Sequence, residues 1–373
     1  MRLYDTARRE VVDFRPGRVV TMYTCGITPY DAAHVGHAAT YLAYDVLQRR
    51  LRDLGHDTQC VRNVTDVDDD ILRRARQLGV HFLDLAAEEM ARFDANMDAL
   101  GLLAAFSEPR ATSAIPDILG FIGMVLDSGH AYQAGGAVYF SVASSPHFGQ
   151  VSHYSREEML AFAEDRGGNV DDPHKHDPLD FVLWQPSAPD EPAWDSLWGR
   201  GRPGWHIECS ALALRELGTT IDLHGGGTDL IFPHHECEAA QSEAATGEPF
   251  VRHWMHVGMV GLGGEKMSKS LGNLVFVSDL LKEWEPAAVR LAIISQHYRT
   301  DWEWDDDLLA AAAARLASWR AAGEGDAGLD AARAALDDDL DTPGALAAVD
   351  AATATSGVSA AAALLGVDFG VPE

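Results

Sequence analysis

The chain has 373 residues, 47% hydrophobic and 23% charged, which is typical of a folded globular protein with room for two or three domains. Its 57 acidic and 29 basic residues give a net charge of −28, which disfavours binding to a polyanion except through a local basic patch. No apolar stretch approaches the roughly 20 residues of a membrane helix, and the polar start lacks the apolar core of a signal peptide, so we expect a cytoplasmic protein without membrane partners.

The first third of the chain has the pattern of a parallel sheet with helical crossovers. Residues 19–25 alternate and are rich in β-branched side chains, which predicts a buried strand. Apolar periodicity then predicts a helix that begins at Asp31, with Asp31 as its cap. Residues 57–64 predict the next strand, and the acidic string 66–70 leads into another helix. Alternating strands and helices favour an α/β nucleotide-binding domain.

The middle of the chain predicts an insertion into that domain. Residues 112–195 contain a predicted helix over 114–128, a hairpin around 135–140 and a loop-rich stretch to residue 192. Residues 205–209 and 221–224 are then expected to be strands that resume the sheet. From residue 308 onward, alanine-rich periodicity predicts a small helical bundle, with a loop at 323–328. From residue 301 to the end, 15 acidic residues stand against three arginines, so this segment is a poor nucleic-acid-binding module.

Two short motifs have the chemistry of phosphate binding. His34 and His37 lie three apart at the start of the predicted helix, where free N–H groups and the helix dipole favour a phosphate. Lys266 and Lys269 follow a glycine-containing stretch, and two ammonium groups could clamp a triphosphate. Taken alone, the histidine pair is equally compatible with a structural or exposed pair, and the lysine motif favours a solvated lysine pair. Their order and separation favour a shared function.

Four cysteines are too few and too scattered for a disulfide scaffold, which leaves metal ligation or burial. Cys25, Cys209, His234 and Glu238 form a candidate tetrahedral metal site, since zinc prefers thiolate, imidazole and carboxylate ligands. Plain burial of the cysteines is the alternative. The glycines at 225–227 would allow close approach of a ligand, and the carboxylate of Asp229 could accept ribose hydroxyls.

Six stretches of the sequence together resemble one known enzyme family, and the resemblance covers the whole chain. They are residues 23–31, 34–38, 63–69, 204–210, 224–236 and 266–270. The chain resembles the cysteine-activating branch of the class I aminoacyl-tRNA synthetase superfamily, which contains cysteinyl-tRNA synthetases and the shorter cysteine:glucosaminyl-inositol ligases of mycothiol biosynthesis. The resemblance implies a Rossmann-like α/β catalytic domain with an inserted connective domain and a small C-terminal helical bundle. The expected boundaries are 1–111 and 196–255 for the two halves of the catalytic domain, 112–195 for the insertion, 256–305 for the stem with the lysine loop, and 306–373 for the bundle.

The resemblance also implies a set of site residues. His34, His37, Lys266 and Lys269 would be catalytic, and Cys25, Cys209 and His234 would hold Zn²⁺ that accepts the substrate thiolate. Glu238 stands where the synthetases, but not the ligases, carry a further zinc ligand, so its role is open. Trp205 and Thr28 would line the amino-acid pocket. The full set expected to contact substrate or nucleotide is Thr28, Tyr30, Thr65, Asp66, Trp205, His224, Gly225, Gly226, Gly227, Asp229, Met267 and Ser268.

The implied activity is ATP-dependent ligation with Mg²⁺, in which cysteine is adenylated and then transferred to the amine of glucosaminyl-inositol. Three features favour the ligase: the sequence of residues 25–30, the sequence of residues 163–168, and the end of the chain soon after residues 338–343. Residues 181–184 are closer in sequence to the synthetases. A shortened cysteinyl-tRNA synthetase, a ligase for another amine or carrier protein, and a catalytically silent paralogue remain alternatives. The expected partners are cysteine, ATP and an amino sugar rather than nucleic acid, with monomer or homodimer left open.

Overall fold

The computed structural model describes residues 1–267 and 272–369. Its strands in chain order are β1 (Arg2–Asp5), β2 (Glu10–Asp13), β3 (Val19–Ile27), β4 (Asp57–Val64), β5 (Ala131–Ala134), β6 (Ala137–Phe140), β7 (Phe181–Pro186), β8 (Gly201–Pro203), β9 (Leu223–Gly227), β10 (Trp254–Val257), β11 (Val260–Leu262), β12 (Glu265–Lys266) and β13 (Trp302–Glu303). Its α-helices are α1 (Val35–Asp53), α2 (Asp69–Leu78), α3 (Phe82–Ala99), α4 (Ile115–Asp127), α5 (Arg156–Asp165), α6 (Trp205–Leu217), α7 (Glu236–Thr246), α8 (Val277–Glu283), α9 (Pro286–Ile294), α10 (Asp307–Ala322), α11 (Leu329–Leu336), α12 (Thr342–Ala352) and α13 (Ser359–Leu364).

The centre of the molecule is a four-stranded parallel sheet with the order β10-β9-β3-β4. The strands predicted at 19–25 and 57–64 are confirmed as β3 and β4. Side chains of β3 alternate between the two faces. Val20 and Met22 enter one hydrophobic core with α1 and α9, whereas Tyr23 and Cys25 enter a second core with α6 and the insertion. The sheet therefore directs Cys25 towards the face that the insertion covers.

The first helix begins later than the sequence predicts. Asp31 does not cap it, because α1 begins at Val35 and its N-cap is His34, whose backbone is extended. The N–H of Val35 donates to the Val275 carbonyl at 2.9 Å, and the N–H of Val277 donates to the Ala33 carbonyl at 3.0 Å. This pairing with a segment 240 residues away holds the chain extended at His34, a tertiary constraint that local helix periodicity does not contain.

The insertion is built on an antiparallel sheet with the order β5-β6-β7-β8. The predicted helix at 114–128 is confirmed as α4, and the hairpin at 135–140 is confirmed as β5 and β6. The stretch expected to be loop-rich also contains α5 and β7. Ser155 caps α5 reciprocally with Glu158, a capping-box signal that was available in the sequence.

Two predictions about the second half of the sheet are wrong. Residues 205–209 were expected to form a strand, but they are the first turns of α6, whose buried face includes Ile207, Cys209 and Leu212. The strand expected over 221–224 is β9, which begins only at Leu223 and continues through the glycines at 225–227. A Cβ on Gly225 would lie 1.6 Å from the Met255 carbonyl oxygen on the neighbouring strand, so the close approach of β9 to β10 requires glycine there.

The predicted helical bundle is confirmed as α10 to α13, with the expected loop before α11. A buried ion pair ties α9 to α1, because the Arg290 guanidinium contacts the Asp45 carboxylate while both side chains are at most 1% exposed. Arg290 also donates to the Leu365 carbonyl at 2.8 Å, which brings in the end of the bundle. Within the described ranges, no helix is both long and apolar enough to cross a bilayer.

Candidate functional site

The candidate site lies where the parallel strands β3, β4 and β9 end. In open parallel α/β sheets, ligands bind beyond the carboxyl ends of the strands, because loops from several strands converge there. The residues that follow these strands, from Thr28, Thr65 and Thr228 onward, include many of those predicted from sequence. The helix α1 also begins at this edge.

The histidine motif forms the N-terminus of α1. His34 and His37 stack with ring centroids 3.8 Å apart, and the N–H of His34 donates to Nδ1 of His37 at 3.5 Å. The antiparallel bridge from His34 to Phe276 brings the chain that follows the lysine motif beside the histidines. Before that motif, Met267 is buried, and its N–H donates to the Val260 carbonyl at 3.2 Å.

The rest of the lysine motif was predicted to act on ATP. Ser268 and Lys269 lie outside the described residues, as does the side chain of Lys266. The backbone of Lys266 pairs with Gly261 in the antiparallel hairpin of β11 and β12. The segment after the lysines is therefore joined to the histidine motif through the backbone, whereas the segment before them pairs with β11.

The four predicted metal ligands converge in one buried cluster. One donor atom each of Cys25, Cys209, His234 and Glu238 lies within 4.8 Å of all the others, and all four residues are buried. The two Sγ atoms are 4.0 Å apart, and Nε2 of His234 lies 2.9 Å from Oε1 of Glu238. Two thiols, an imidazole and a carboxylate in a compact dry cluster fit a tetrahedral zinc site.

The protonation of this cluster also suits a cation. The hydrogen bond from the Cys25 thiol lowers the pKa of Cys209 to about 6, against the effect of burial. Burial raises the pKa of Cys25 itself well above its usual value. Burial also opposes ionisation of Glu238, but His234 and His224 outweigh it and lower the Glu238 pKa to about 2. A metal ion would replace protons on Cys25 and His234, so its affinity should rise with pH.

His224, which was predicted to contact substrate or nucleotide, lies at this cluster. It is fully buried, with Nδ1 2.8 Å from the Tyr23 carbonyl oxygen and Nε2 3.1 Å from Oε2 of Glu238. A carbonyl oxygen only accepts, so Nδ1 of His224 donates to the Tyr23 carbonyl. The contact between Nε2 and Oε2 of Glu238 then requires a second proton, which the two atoms share. His224 therefore fixes the orientation of Glu238.

The sequence reasoning missed a second donor set that shares two members with the first. Cys25, His224, His235 and Glu238 also bring one donor atom each to within 4.8 Å of the others. His235 places Nε2 3.3 Å from the Cys25 Sγ and Nδ1 2.7 Å from Nε2 of His256. The adjacent His234 and His235 of one motif thus both face Cys25, which their neighbouring positions in sequence did not reveal.

Trp205 and Thr28 were predicted to line an amino-acid pocket, and Trp205 lies beside the cluster. The Trp205 ring stacks on His234 with centroids 4.2 Å apart, which places an aromatic wall next to the metal candidates. Thr28 donates to Oδ2 of Asp68 at 3.0 Å, and Asp68 in turn caps α2 through the Ile71 N–H. Burial raises the pKa of Asp68 to about 6. Tyr30 lies near the same carboxylates, and burial raises its pKa above the usual value.

Thr65 and Asp66, which were predicted to contact substrate or nucleotide, also make hydrogen bonds within the protein. Asp66 accepts from the backbone N–H of Thr112 at 2.9 Å and from its hydroxyl at 2.6 Å, which anchors the start of the insertion. Thr65 accepts from the Asn63 side-chain amide at 3.1 Å. These two residues support the end of β4, and their contacts explain the wording of the motif around them in structural terms.

The predicted ribose residue lies at the end of β9. Oδ1 of Asp229 is 2.5 Å from the position that a Cβ on Gly227 would occupy, so a side chain there would displace the carboxylate. The Arg166 guanidinium contacts the carbonyl oxygens of Asp229 and Phe232. Glu236, four residues further on, accepts three backbone N–H groups from residues 149–152 of the insertion. Both contacts were absent from the sequence predictions, because neither partner lies near in sequence.

Comparison with known proteins gives the family. The model of the tRNA synthetases class I (C) catalytic domain matches residues 11–314. The chain is 51% identical over 358 residues to a protein from Thermobispora bispora named L-cysteine:1D-myo-inositol 2-amino-2-deoxy-alpha-D-glucopyranoside ligase, covering 94% of this chain and 89% of the relative. It is 50% identical over 360 residues to a protein of the same name from Mycobacterium ulcerans, covering 94% and 88%.

Solved structures with low sequence identity share the fold. A Mycobacterium tuberculosis methionyl-tRNA synthetase in complex with methionyl-adenylate aligns with a TM-score of 0.67 at 17% identity, covering 94% of this chain and 88% of the other. A putative arginyl-tRNA synthetase from Campylobacter jejuni aligns with a TM-score of 0.58 at 12% identity, covering 94% and 93%. The predicted Rossmann-like class I synthetase architecture is therefore confirmed.

Proposed function

Because the chain belongs to the class I tRNA synthetase family, within the group of the L-cysteine:1D-myo-inositol 2-amino-2-deoxy-alpha-D-glucopyranoside ligases, we propose that it ligates cysteine to the amine of that amino sugar at the expense of ATP. The cysteine carboxylate first attacks the α-phosphorus of ATP, which forms cysteinyl-adenylate and releases pyrophosphate. The amine then attacks the acyl carbon, which forms an amide, releases AMP and gives up a proton.

The single observation that carries the proposal is the buried cluster of two cysteines, a histidine and a glutamate beside the carboxyl ends of β3 and β9. Cys25 lies on β3, whose end also leads to Thr28 and the histidine motif. Cys25, Cys209 and His234 would hold Zn²⁺ by thiolate and imidazole ligation, and the ion would supply ligation of the substrate thiolate. A hydroxyl is a much poorer zinc ligand, so the same site would discriminate against serine.

The other side chains support the activation step. Trp205 stacks on His234 and would enclose the cysteine side chain against the donor cluster. His34 and His37 stand at the N-terminus of α1, where imidazole and free N–H groups would stabilise charge on the α-phosphate as pyrophosphate leaves. Lys266 and Lys269 would stabilise the leaving group together with Mg²⁺. Asp229 would hold the ribose.

Glu238 orients His234 in the proposed site, and its carboxylate is also the fourth candidate metal ligand. It contacts His234 through Oε1 and His224 through Oε2, so its carboxylate bridges two imidazoles. Replacing Glu238 by Gln should lower zinc content only if the carboxylate is a ligand. Retained zinc with weaker cysteine binding would assign it to orienting His234.

The test is mass spectrometry of the full chain incubated with Mg·ATP, cysteine and the amino sugar. We expect an amide product and AMP in equal amounts, and neither without cysteine. AMP formation without the amide would refute the acceptor and point to tRNA or another amine, which are then supplied in its place. Failure of cysteine to promote exchange of pyrophosphate into ATP would refute cysteine activation and favour a silent paralogue.

A further inference from the structure

The backbone at the C-terminal end of α5 holds Arg166 in a defined position. Arg166 is the C-cap of α5, and Gly167 follows it with φ of 82°. The N–H of Gly168 donates to the Ala163 carbonyl at 2.7 Å, and a Cβ on Gly168 would lie only 2.8 Å from that oxygen. The two glycines therefore end the helix tightly, as glycine commonly does after a C-cap. This accounts for the stretch 163–168 that the sequence singled out without a role.

The Arg166 guanidinium extends from the insertion to residues 229–232, which lie between β9 and the candidate metal ligands. It contacts the carbonyl oxygens of both Asp229 and Phe232. Its own position is supported by the Phe162 ring, whose centroid lies 5.0 Å from the guanidinium carbon. Phe232 also packs edge-on against Tyr154 of the insertion, with ring centroids 6.2 Å apart.

The two carbonyls bracket the turn that leads from the ribose candidate to the metal candidates. Asp229 precedes this turn, and His234 and His235 follow Phe232 after one residue, Pro233. Both contacts come from one terminal nitrogen of the guanidinium, Nη1, whose two N–H groups point in fixed directions within the plane of the group. The rest of the turn is irregular, with Phe232 in an extended conformation between helical residues. Arg166 is therefore one of the contacts by which the insertion holds the turn 229–232 in position.

We propose that Arg166 is a positioning residue for nucleotide binding: by holding the carbonyls of Asp229 and Phe232, it presents the Asp229 carboxylate to the ribose of ATP. The inference rests on the proposed function, since it assumes that ATP is the nucleotide bound. It adds a role for the insertion, which sets the nucleotide site from outside the parallel sheet.

The experiment measures Mg·ATP binding by equilibrium dialysis of the full chain, so that it requires neither cysteine turnover nor an acceptor. The variants are Arg166→Gln, Arg166→Lys and the control Arg156→Gln. Arg156 lies on the same helix, but it bonds Asp177 at 2.9 Å within the insertion. We expect Arg166→Gln to weaken ATP binding by about tenfold or more, because two charge-assisted hydrogen bonds are lost. Arg166→Lys should be intermediate, and Arg156→Gln should stay within about twofold of the parent.

A kinetic readout separates positioning from general damage. In cysteine-dependent pyrophosphate exchange, Arg166→Gln should raise the KM for ATP by a similar factor while kcat changes less. Near-ultraviolet circular dichroism verifies the fold, and Arg166→Lys carries the test if the glutamine variant does not fold. Unchanged ATP affinity in a folded Arg166 variant, or an equal loss in Arg156→Gln, would overturn the inference. ATP binding without cysteine-dependent exchange in the parent would overturn the proposed function and leave the Arg166 comparison intact.

Discussion

The buried carboxylate of Glu236 is the second contact between the insertion and the site, and it allows a quantitative test. It is 1% exposed and accepts the N–H groups of Gly149 at 2.7 Å, Ser152 at 2.8 Å and Val151 at 3.2 Å. The perturbation is Glu236→Ala, which removes the acceptor for all three donors. Among the described residues, Gly149, Val151 and Ser152 direct these N–H groups to Glu236 alone.

The expected cost follows from the number of donors left without an acceptor. Each buried N–H that loses its partner costs about 1–3 kcal/mol, and bonds to a charged acceptor lie in the upper part of that range. Loss of the interaction also removes the cost of burying a carboxylate, which offsets part of the sum. We therefore expect Glu236→Ala to lower the free energy of unfolding by about 3–5 kcal/mol. Glu236→Gln keeps one acceptor oxygen and should lose about 1–3 kcal/mol.

Urea denaturation measures this change, provided that the slope of free energy against urea is the same in all variants. The matched control is Glu164→Ala, which removes an exposed carboxylate from α5 and should alter the free energy of unfolding by about 0.5 kcal/mol or less. Hydrogen exchange should also become faster at Gly149, Val151 and Ser152. An unfolding midpoint for Glu236→Ala equal to that of the control, with exchange at these amides unchanged, would refute the reasoning.

Three further predictions concern the metal cluster, a titrating cap and the buried ion pair. Cys209→Ser should lose both bound zinc, measured by atomic absorption, and cysteine-dependent pyrophosphate exchange, whereas Cys60→Ser, which lies outside the donor sets, should keep both. Burial raises the pKa of Asp68 to about 6 from 3.8, so its ionised form destabilises the fold above pH 6. Asp68→Asn retains a capping side chain, and its gain in unfolding free energy should be full above pH 6 and shrink as the pH falls towards 3.8; a gain independent of pH would contradict this. Arg290→Met should cost about 3–5 kcal/mol in urea denaturation, because the buried Asp45 carboxylate loses one of its two arginine partners and the Leu100 and Leu365 carbonyls lose their donor. Arg333→Gln, from a partly exposed pair, should cost far less, and equal costs would contradict the reasoning.

The chain by itself determined the fold class, the main strands and the candidate metal residues. The strand at 19–25 could be predicted because its alternation and β-branched side chains report burial directly. Cys25, Cys209, His234 and Glu238 have the donor chemistry of zinc ligands, and the family resemblance favoured the first three as ligands over plain burial of the cysteines. The structure brings all four together. These features are local patterns or residue types, and both are legible in a sequence.

The tertiary structure decided which neighbours those residues acquire. The stretch 205–209 is apolar enough for either a strand or a helix, and packing against α4 and α7 made it the start of α6. The start of α1 was set by pairing with residues 275–277. The second donor set arises where His224 on β9 and His235, the N-cap of α7, meet Cys25 on β3. Arg166 and Glu236 acquired their contacts across 66 and 84 to 87 positions of sequence. Such contacts depend on how separate elements dock, and no local pattern of side chains encodes that geometry.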